Sequence, residues 1–158
     1  LWDLPVLFVC ENNQYGMSMA SENAVAGGSI AQRAESYGIK SISIDGNNVE
    51  EVYNSVLEFK ETIKSSGKPM FIESVTYRYR GHSKSDRNLY RTSEEIEFWK
   101  EEKDPLKRFI GKLTEEGVEI ETLKEIESEV REVIRDSVKK ALQSPESPKT
   151  NLEEDSYA

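Results

Sequence analysis

The sequence predicts an α/β protein in which three parallel strands alternate with helices, followed by a helical C-terminal segment. Two observations lead to this fold class. Three short runs of strand-forming residues alternate with two stretches of helical spacing, the order typical of a parallel sheet. From residue 92 onward the apolar spacing is helical only. We therefore predict an α/β domain over residues 1–91, a helical extension over 92–143 and an acidic, flexible tail over 144–158.

The first predicted strand covers residues 5–10, a continuous apolar run of the kind that is buried on both faces of a sheet. A polar stretch, residues 11–16, follows it directly. Loops at the carboxyl ends of parallel strands are where open α/β sheets bind ligands. The single cysteine, Cys10, excludes an internal disulfide and is interpreted as a small buried thiol.

The next elements follow in the order helix, strand, helix, strand. Residues 29–37 predict a short helix with Ser29 as its N-cap. Residues 40–45 alternate apolar and polar side chains and predict the second strand. Residues 49–63 have apolar side chains near helical spacing and predict the second helix. Residues 70–77 are rich in β-forming residues and predict the third strand.

A polar loop without hydrophobic periodicity covers residues 78–91. After it, Thr92 and Glu95 have the spacing of a capping box that opens a helix. Pro105 indicates the start of another helix, since proline is favoured at the first helical position. Residues 121–142 predict one long amphipathic helix with charged residues around its apolar stripe.

Composition and charge exclude several classes of function. The net charge of −9 repels nucleic-acid phosphates, and no apolar run approaches the ~20 residues that a membrane span needs.

Three strands are few for an independent sheet, and residues 1–5 lead straight into a buried-type strand. We therefore expect further sequence upstream. The open sheet edge should make the isolated chain oligomeric or unstable.

The loop after the first strand carries candidate metal ligands. The side-chain oxygen of Asn13 is a hard neutral ligand suited to Mg²⁺, and the backbone carbonyl of Tyr15 could be a second. A diphosphate bound at the carboxyl edge of the sheet would complete the shell. An Asn-Asn pair before glycine is also a common turn, so the spacing alone leaves both interpretations open.

The loop after the third strand lies at the same edge of the predicted sheet. Arg78, Arg80 and Lys84 form a basic cluster in an acidic chain, and guanidinium groups bind phosphate in bidentate geometry. His82, the only histidine in the sequence, follows a glycine within this cluster. The alternative is a solvated loop that pairs with acidic neighbours.

Taken together, three segments resemble the α subunit of the thiamine diphosphate-dependent 2-oxo acid dehydrogenases, a family that acts on pyruvate, branched-chain 2-oxo acids or acetoin. They are FVCENNQYGMS, SVTYRYRGHSKSD and YRTSEEI, and the resemblance extends through DPLKR and the long acidic helix. Asn12 and Asn13 match the end of the family's thiamine diphosphate motif. The Gly-Asp-Gly start of that motif is absent, and Asp45-Gly46 follows the Asn pair and so cannot replace it.

The resemblance implies a role for each candidate site residue. Asn13, through its side chain, and Tyr15, through its carbonyl, would bind Mg²⁺ beside thiamine diphosphate. His82 would lie over the cofactor and steer proton transfers and the lipoyl group. Arg78 would hold the diphosphate or order the loop.

Ser83 matches the position at which the animal mitochondrial enzymes of this family are inactivated by phosphorylation. A phosphate there would add charge and bulk at the mouth of the active site. Residues 86–90 form a shorter segment that lacks the second regulatory serine of those enzymes. With Lys84, this indicates a bacterial-type, cytoplasmic enzyme without phosphoregulation. A location in the mitochondrial matrix is the less favoured alternative.

The expected function is oxidative decarboxylation of a 2-oxo acid with acyl transfer to lipoyl, pyruvate or acetoin being favoured. The resemblance implies a heterotetramer of two α and two β subunits, in which the β subunit supplies the glutamate that activates the cofactor. The lipoyl domain of the acyltransferase component would be a further partner, and this chain alone would be inactive. Two alternatives stay open: another thiamine diphosphate enzyme, of transketolase type, or a non-catalytic subunit-interaction fragment.

Overall fold

The computed structural model describes residues 1–146 and confirms the predicted α/β class. Its elements are β1 (Leu7–Asn12), β2 (Tyr15–Gly16), β3 (Met19–Ala20), α1 (Ser21–Ala24), α2 (Ile30–Glu35), β4 (Lys40–Asp45), α3 (Val49–Ser66), β5 (Met70–Val75), α4 (Ser93–Glu101), α5 (Pro105–Glu115) and α6 (Ile120–Gln143). The chain forms two compact units, the first covering Leu1–Lys112 and the second beginning at Leu113. The domain boundaries predicted from the sequence stay a prediction.

The main sheet has three parallel strands in the order β1-β5-β4. Leu7 and Lys40 both pair with Met70, and the register runs without interruption to Val75 at the end of β5. The three strands therefore end at one edge of the sheet. The loops that follow β1, β4 and β5 all leave from that edge, which is where a parallel sheet binds ligands.

The core of the first unit lies between α3 and the sheet. Phe59 and Ile63 of α3 are buried there, and they pack with three buried strand residues, Ile44, Met70 and Ile72. The helix begins at Asn48, whose side chain accepts a hydrogen bond from the Glu51 amide at 3.2 Å. It ends at Gly67, whose φ of 69° is the left-handed conformation that glycine adopts without strain.

The first strand differs from its prediction. It begins at Leu7 and not at Pro5, and two of its apolar side chains are exposed, Phe8 by 46% and Val9 by 56%. The prediction of burial on both faces was wrong because the elements within residues 1–146 leave part of each face of β1 uncovered. Cys10 is likewise only half-buried. Partial burial raises the pKa of its thiol, with help from the neighbouring carboxylates of Glu73 and Glu11.

The sequence did not predict the small hairpin of β2 and β3 or the single helical turn of α1. Two-residue strands are too short to show an alternating pattern. The hairpin depends on Gln14 and Met17, which have φ values of 71° and 55° in the left-handed region. The last strand also ends at Val75, two residues before the predicted end. Beyond it the Thr76 amide still donates to the Asn12 carbonyl at 2.9 Å.

The C-terminal helices match their predictions closely. Pro105 opens α5, and the Asp104 carboxylate caps it by accepting from the Lys107 amide at 2.9 Å. The predicted apolar stripe of α6 is present and exposed, at Ile126, Val130, Val133, Ile134, Val138 and Leu142. Within residues 1–146, no helix combines the length and the apolar character needed to cross a membrane. The predicted acidic tail lies outside the described residues from position 147 onward.

Candidate functional site

The two asparagines at the end of β1 have different surroundings, Asn12 being the last residue of the strand and Asn13 the first after it. Asn12 donates from its amide nitrogen to Glu73 at 2.8 Å and accepts from the Gln14 amide at 3.2 Å. The Asn13 side-chain oxygen accepts one long bond, 3.3 Å, from the Tyr15 amide. An amide oxygen has two lone pairs, so Asn13 keeps acceptor capacity that a cation can use. The residue predicted as a metal ligand therefore has a donor atom that fits Mg²⁺.

Glu73 is a carboxylate in the centre of β5 and is only 2% exposed. It accepts hydrogen bonds from the Ser29 hydroxyl at 2.6 Å, the Ala31 amide at 3.0 Å and the Asn12 side chain at 2.8 Å. Burial raises the pKa of this carboxyl, but the three hydrogen bonds together outweigh it and hold the pKa below its ordinary value. Glu73 therefore ties the loop after β1 to the start of α2 as a buried anion.

Arg78, predicted to hold a diphosphate or to order its loop, contacts the hairpin. Its guanidinium donates to the carbonyl of Met17 at 2.6 Å, to that of Tyr15 at 3.4 Å and to the Tyr90 hydroxyl at 2.8 Å. Its Nε is buried and has no acceptor among residues 1–146. A buried N–H without an acceptor costs free energy, so the other hydrogen bonds of Arg78 must outweigh that cost.

Arg91 holds the loop after β5 together. It is 8% exposed and donates to the carbonyl of Arg78, to that of Tyr79 at 3.0 Å and to the Asn88 side chain at 2.9 Å. Its guanidinium carbon also lies within 5.7 Å of three aromatic ring centroids, those of Tyr15, Tyr77 and Tyr90. Hydrogen bonds and cation–π contacts thus join the two loops at the sheet edge around one buried charge.

Glu95 accepts hydrogen bonds from two tyrosine hydroxyls on one carboxylate oxygen. The Tyr15 hydroxyl lies 2.9 Å away and the Tyr77 hydroxyl 2.8 Å away. Burial and these bonds raise the pKa of Tyr77 to about 12 and also raise that of Tyr15, so both phenols are donors at neutral pH. Tyr77 stacks on Trp99 with ring centroids 5.1 Å apart. A cleft of about 250 Å³ opens beside these side chains.

The capping box predicted for α4 is only half formed. The Thr92 side chain accepts from the Glu95 amide at 3.1 Å, as predicted. The Glu95 carboxylate bonds to the two tyrosines and not to the start of its own helix. The prediction of a reciprocal box was wrong because the buried phenols supply stronger, long-range donors to that carboxylate.

His82 lies exposed on a tight turn that Asp86 closes. The Asp86 carboxylate accepts from the His82 amide at 2.7 Å, the Asn88 amide at 2.8 Å and the Tyr90 hydroxyl at 2.8 Å. The bonds from the Asn88 and His82 amides lower the pKa of Asp86 to about 2. A Cβ on Gly81 would stand 2.8 Å from the Asp86 Cβ. Only glycine therefore fits the turn before His82.

The histidine turn and the asparagine loop are linked by hydrogen bonds. The Tyr90 hydroxyl contacts both Asp86 and Arg78, and Arg78 reaches the Tyr15 carbonyl. Of the predicted basic cluster, Arg78 is half-buried, while Arg80 and Lys84 are exposed. Within residues 1–146, no group of three or more His, Cys, Asp or Glu side chains has an arrangement that could hold a metal.

Sequence analysis did not single out Glu73, Asp86, Arg91 or the tyrosine contacts of Glu95. For Glu73 a signal was present, because a carboxylate in the middle of an apolar strand must find several donors when it is buried. The Asp86 carboxylate bonds to residues within four positions of itself, in a turn with no recognisable sequence motif. The remaining two also make contacts between segments that no local spacing encodes. Their common signal is the concentration of tyrosines next to charged residues in residues 77–91.

Comparison with known proteins gives a consistent result. The sequence model of the family "Dehydrogenase E1 component" matches residues 1–150. A pyruvate dehydrogenase E1 component subunit alpha from Rhizobium meliloti (strain 1021) is 39% identical over 147 residues, covering 92% of this chain and 42% of that protein. The protein of the same name from Rickettsia felis is 38% identical over 146 residues, covering 92% of this chain and 44% of that protein.

A eukaryotic relative is similarly close. The "Pyruvate dehydrogenase E1 component subunit alpha type I, mitochondrial" of Ascaris suum is 41% identical over 150 residues, which is 94% of this chain and 37% of that protein. The chain thus spans less than half the length of the curated relatives it matches.

Proposed function

This chain belongs to the dehydrogenase E1 component family, as a partial α subunit, and on that premise we propose that it contributes to a thiamine diphosphate-dependent 2-oxo acid dehydrogenase. The proposed reaction is oxidative decarboxylation of a 2-oxo acid with transfer of the acyl group to lipoyl. Pyruvate is the proposed substrate, since the relatives compared above are named for pyruvate dehydrogenase.

The observation that carries this proposal is the meeting of two loops at the carboxyl edge of the sheet. The loop with Asn13 and Tyr15 follows β1, and the loop with His82 follows β5, the neighbouring strand. Arg78 bonds the two loops directly. An edge of this kind binds phosphate-bearing cofactors in other parallel sheets.

The residues present fit the cofactor and its metal. The Asn13 side-chain oxygen and the Tyr15 carbonyl would be two oxygen ligands of Mg²⁺, which also takes a carboxylate and phosphate oxygens. An Asp from the upstream motif would supply that carboxylate. The Arg78 side chain would order the hairpin through its bonds to the Tyr15 and Met17 carbonyls. Thiamine diphosphate, when bound, supplies the carbanion chemistry.

His82 would serve in proton transfer. Its turn is fixed by the Asp86 carboxylate, while its side chain stays exposed. An imidazole held in this way can give or take a proton at a substrate atom that comes within hydrogen-bonding distance. Ser83, beside it, is exposed. We do not expect it to be a regulatory phosphorylation site.

The proposed partners follow from the family. They are the β subunit, in a heterotetramer of two α and two β chains, and the lipoyl domain of the acyltransferase component. The proposed compartment is the cytoplasm of a bacterium. Within this chain, we propose that residues 1–91 complete the cofactor-binding domain, that 92–143 form a helical extension and that 144–158 form an acidic tail.

The proposal predicts that the full-length α subunit, assembled with its β subunit, reduces an electron-accepting dye when pyruvate is added. The rate should depend on both thiamine diphosphate and Mg²⁺. Asn13→Ala should lower it at least about hundredfold, because a metal ligand supplies several kcal/mol to a charged reaction centre. The matched control is Asn54→Ala, which removes an exposed asparagine from α3 and should leave the rate unchanged.

3-Methyl-2-oxobutanoate and acetoin should be offered in parallel to identify the substrate. If either compound drives dye reduction and pyruvate does not, the proposed reaction stands and that compound replaces pyruvate as the proposed substrate. Turnover of sugar phosphates would favour a transketolase-type enzyme. No turnover with any substrate would contradict the proposal and favour a subunit-interaction fragment.

A further inference from the structure

We propose that Glu95 is a positioning residue for the Tyr15 carbonyl, acting through the tyrosine hydroxyl that it binds. The inference rests on the proposed function, in which that carbonyl is a ligand of Mg²⁺. It assigns a role to a helix residue that is not itself a ligand. The contact joins α4 to the loop after β1, which are far apart in the sequence.

Tyr15 is held at both of its ends. Its amide donates to the Asn13 side chain at 3.3 Å, so that the two proposed ligand residues form one turn. Its hydroxyl donates to Glu95 at 2.9 Å. Because the ring is fixed at the far end, the Cα of Tyr15 cannot move far without breaking that bond. The position of the carbonyl therefore depends on Glu95 as well as on the Arg78 guanidinium, which donates to this oxygen at 3.4 Å.

Glu95 is itself fixed. Its amide is held by the Thr92 side chain at the first turn of α4, and the same carboxylate oxygen that binds Tyr15 also binds the Tyr77 hydroxyl at 2.8 Å. Tyr77 is only 7% exposed and stacks on Trp99 of the same helix. Glu95 thus presents an anchored acceptor, and bonds to a charged acceptor are about twice as strong as neutral ones.

The aromatic neighbours reinforce the same orientation. The Tyr15 ring lies edge-on to Tyr77, with centroids 6.0 Å apart at 88°, and its centroid is 5.4 Å from the guanidinium carbon of Arg91. Magnesium requires near-octahedral geometry with short bonds to oxygen. A carbonyl that shifts when its tyrosine loosens would therefore bind the metal less tightly, even though every ligand atom is still present.

The test uses the full-length α subunit assembled with its β subunit, saturated with thiamine diphosphate. Mn²⁺ replaces Mg²⁺ as the probe, and electron paramagnetic resonance of the free ion gives its dissociation constant. Tyr15→Phe keeps the ring and the carbonyl and removes only the bond to Glu95. It should raise the dissociation constant about tenfold, the size typical for losing a group that orients a ligand. Glu95→Ala should have a similar effect.

Two further variants separate positioning from general stability. Glu95→Gln keeps an oxygen that can accept from both phenols and should stay within about threefold of the wild-type dissociation constant. Tyr79→Phe is the matched control, since its hydroxyl bonds to the Trp99 carbonyl and Asp104 on the same helical segment but not to Glu95. It should leave metal affinity unchanged. The double variant Tyr15→Phe with Glu95→Ala should be no weaker than either single variant.

The outcomes are distinct. A wild-type assembly that binds no Mn²⁺ in the presence of thiamine diphosphate would reject the proposed function, and the positioning role with it. A different result would overturn only the positioning role. In that result the wild type binds Mn²⁺ normally, and Tyr15→Phe and Glu95→Ala change the melting temperature but not the metal affinity. Equal weakening by Tyr79→Phe would also overturn it.

Discussion

Glu73→Ala should lower the free energy of unfolding of the assembled protein by about 3–5 kcal/mol, since it leaves two donors around a buried site without their acceptor. Those donors are the Ser29 hydroxyl and the Asn12 side chain, whereas the Ala31 amide keeps its bond to the Ser29 oxygen at 3.1 Å. The loss should appear as a melting temperature lower by roughly 10 °C. Glu58→Ala, which removes an exposed glutamate from α3, is the matched control and should shift the melting temperature little.

The pH dependence of Glu73 provides a separate check. Its folded pKa is lower than that of an ordinary glutamate, so its stabilising contribution is complete above the unfolded pKa of about 4.3. That contribution is lost as the pH falls through the folded pKa. The difference in melting temperature between wild type and Glu73→Gln should therefore be largest near neutral pH and should narrow in acid. A difference that widens in acid would contradict the structure around Glu73.

Arg91→Met should open the loop after β5, although methionine fills much of the same volume. The substitution removes the donors to the Arg78 and Tyr79 carbonyls and to Asn88. Two or more hydrogen bonds from a charged donor stabilise the closed loop by about 3 kcal/mol together. Losing them should make local opening of the loop easier by that free energy, so amide hydrogen exchange over residues 78–90 should speed up by roughly a hundredfold. The same variant should lower dye reduction, because this loop carries His82.

Arg87→Met is the control for this experiment. Arg87 lies on the same loop and is exposed, so the exchange rates should stay near those of the wild type. Mass spectrometry of peptides from residues 76–92 measures both variants. If Arg91→Met exchanges no faster than Arg87→Met, the guanidinium does not hold the loop.

The regular elements were predictable because their signals are local. Spacing alone predicted β4 with its observed bounds, and Ser29 and Thr92 were identified as helix caps. The sheet order β1-β5-β4 was not predictable in this way. It depends on pairing between residues more than sixty positions apart, such as Leu7 with Met70.

The place of the candidate site residues was predictable because Asn13, Tyr15, Arg78 and His82 follow strands that end at one edge of the sheet. Their roles come from the family resemblance and stay proposals. What could not be predicted was the network that supports them. The sequence predicted Glu95 as part of a capping box, of which only the Thr92 half is formed. Its bonds to Tyr15 and Tyr77 arise only when three distant segments meet, because a buried phenol needs an acceptor.

We propose that the loop after β1 supplies ligands for the metal that accompanies thiamine diphosphate, and calorimetric titration of the assembled protein tests this role most directly. Thiamine diphosphate should bind tightly with Mg²⁺ present and weakly after the metal is chelated. Asn13→Ala should bind it weakly in both conditions, whereas Asn54→Ala should match the wild type. Tight, metal-dependent binding by Asn13→Ala, equal to that of the wild type, would contradict the account.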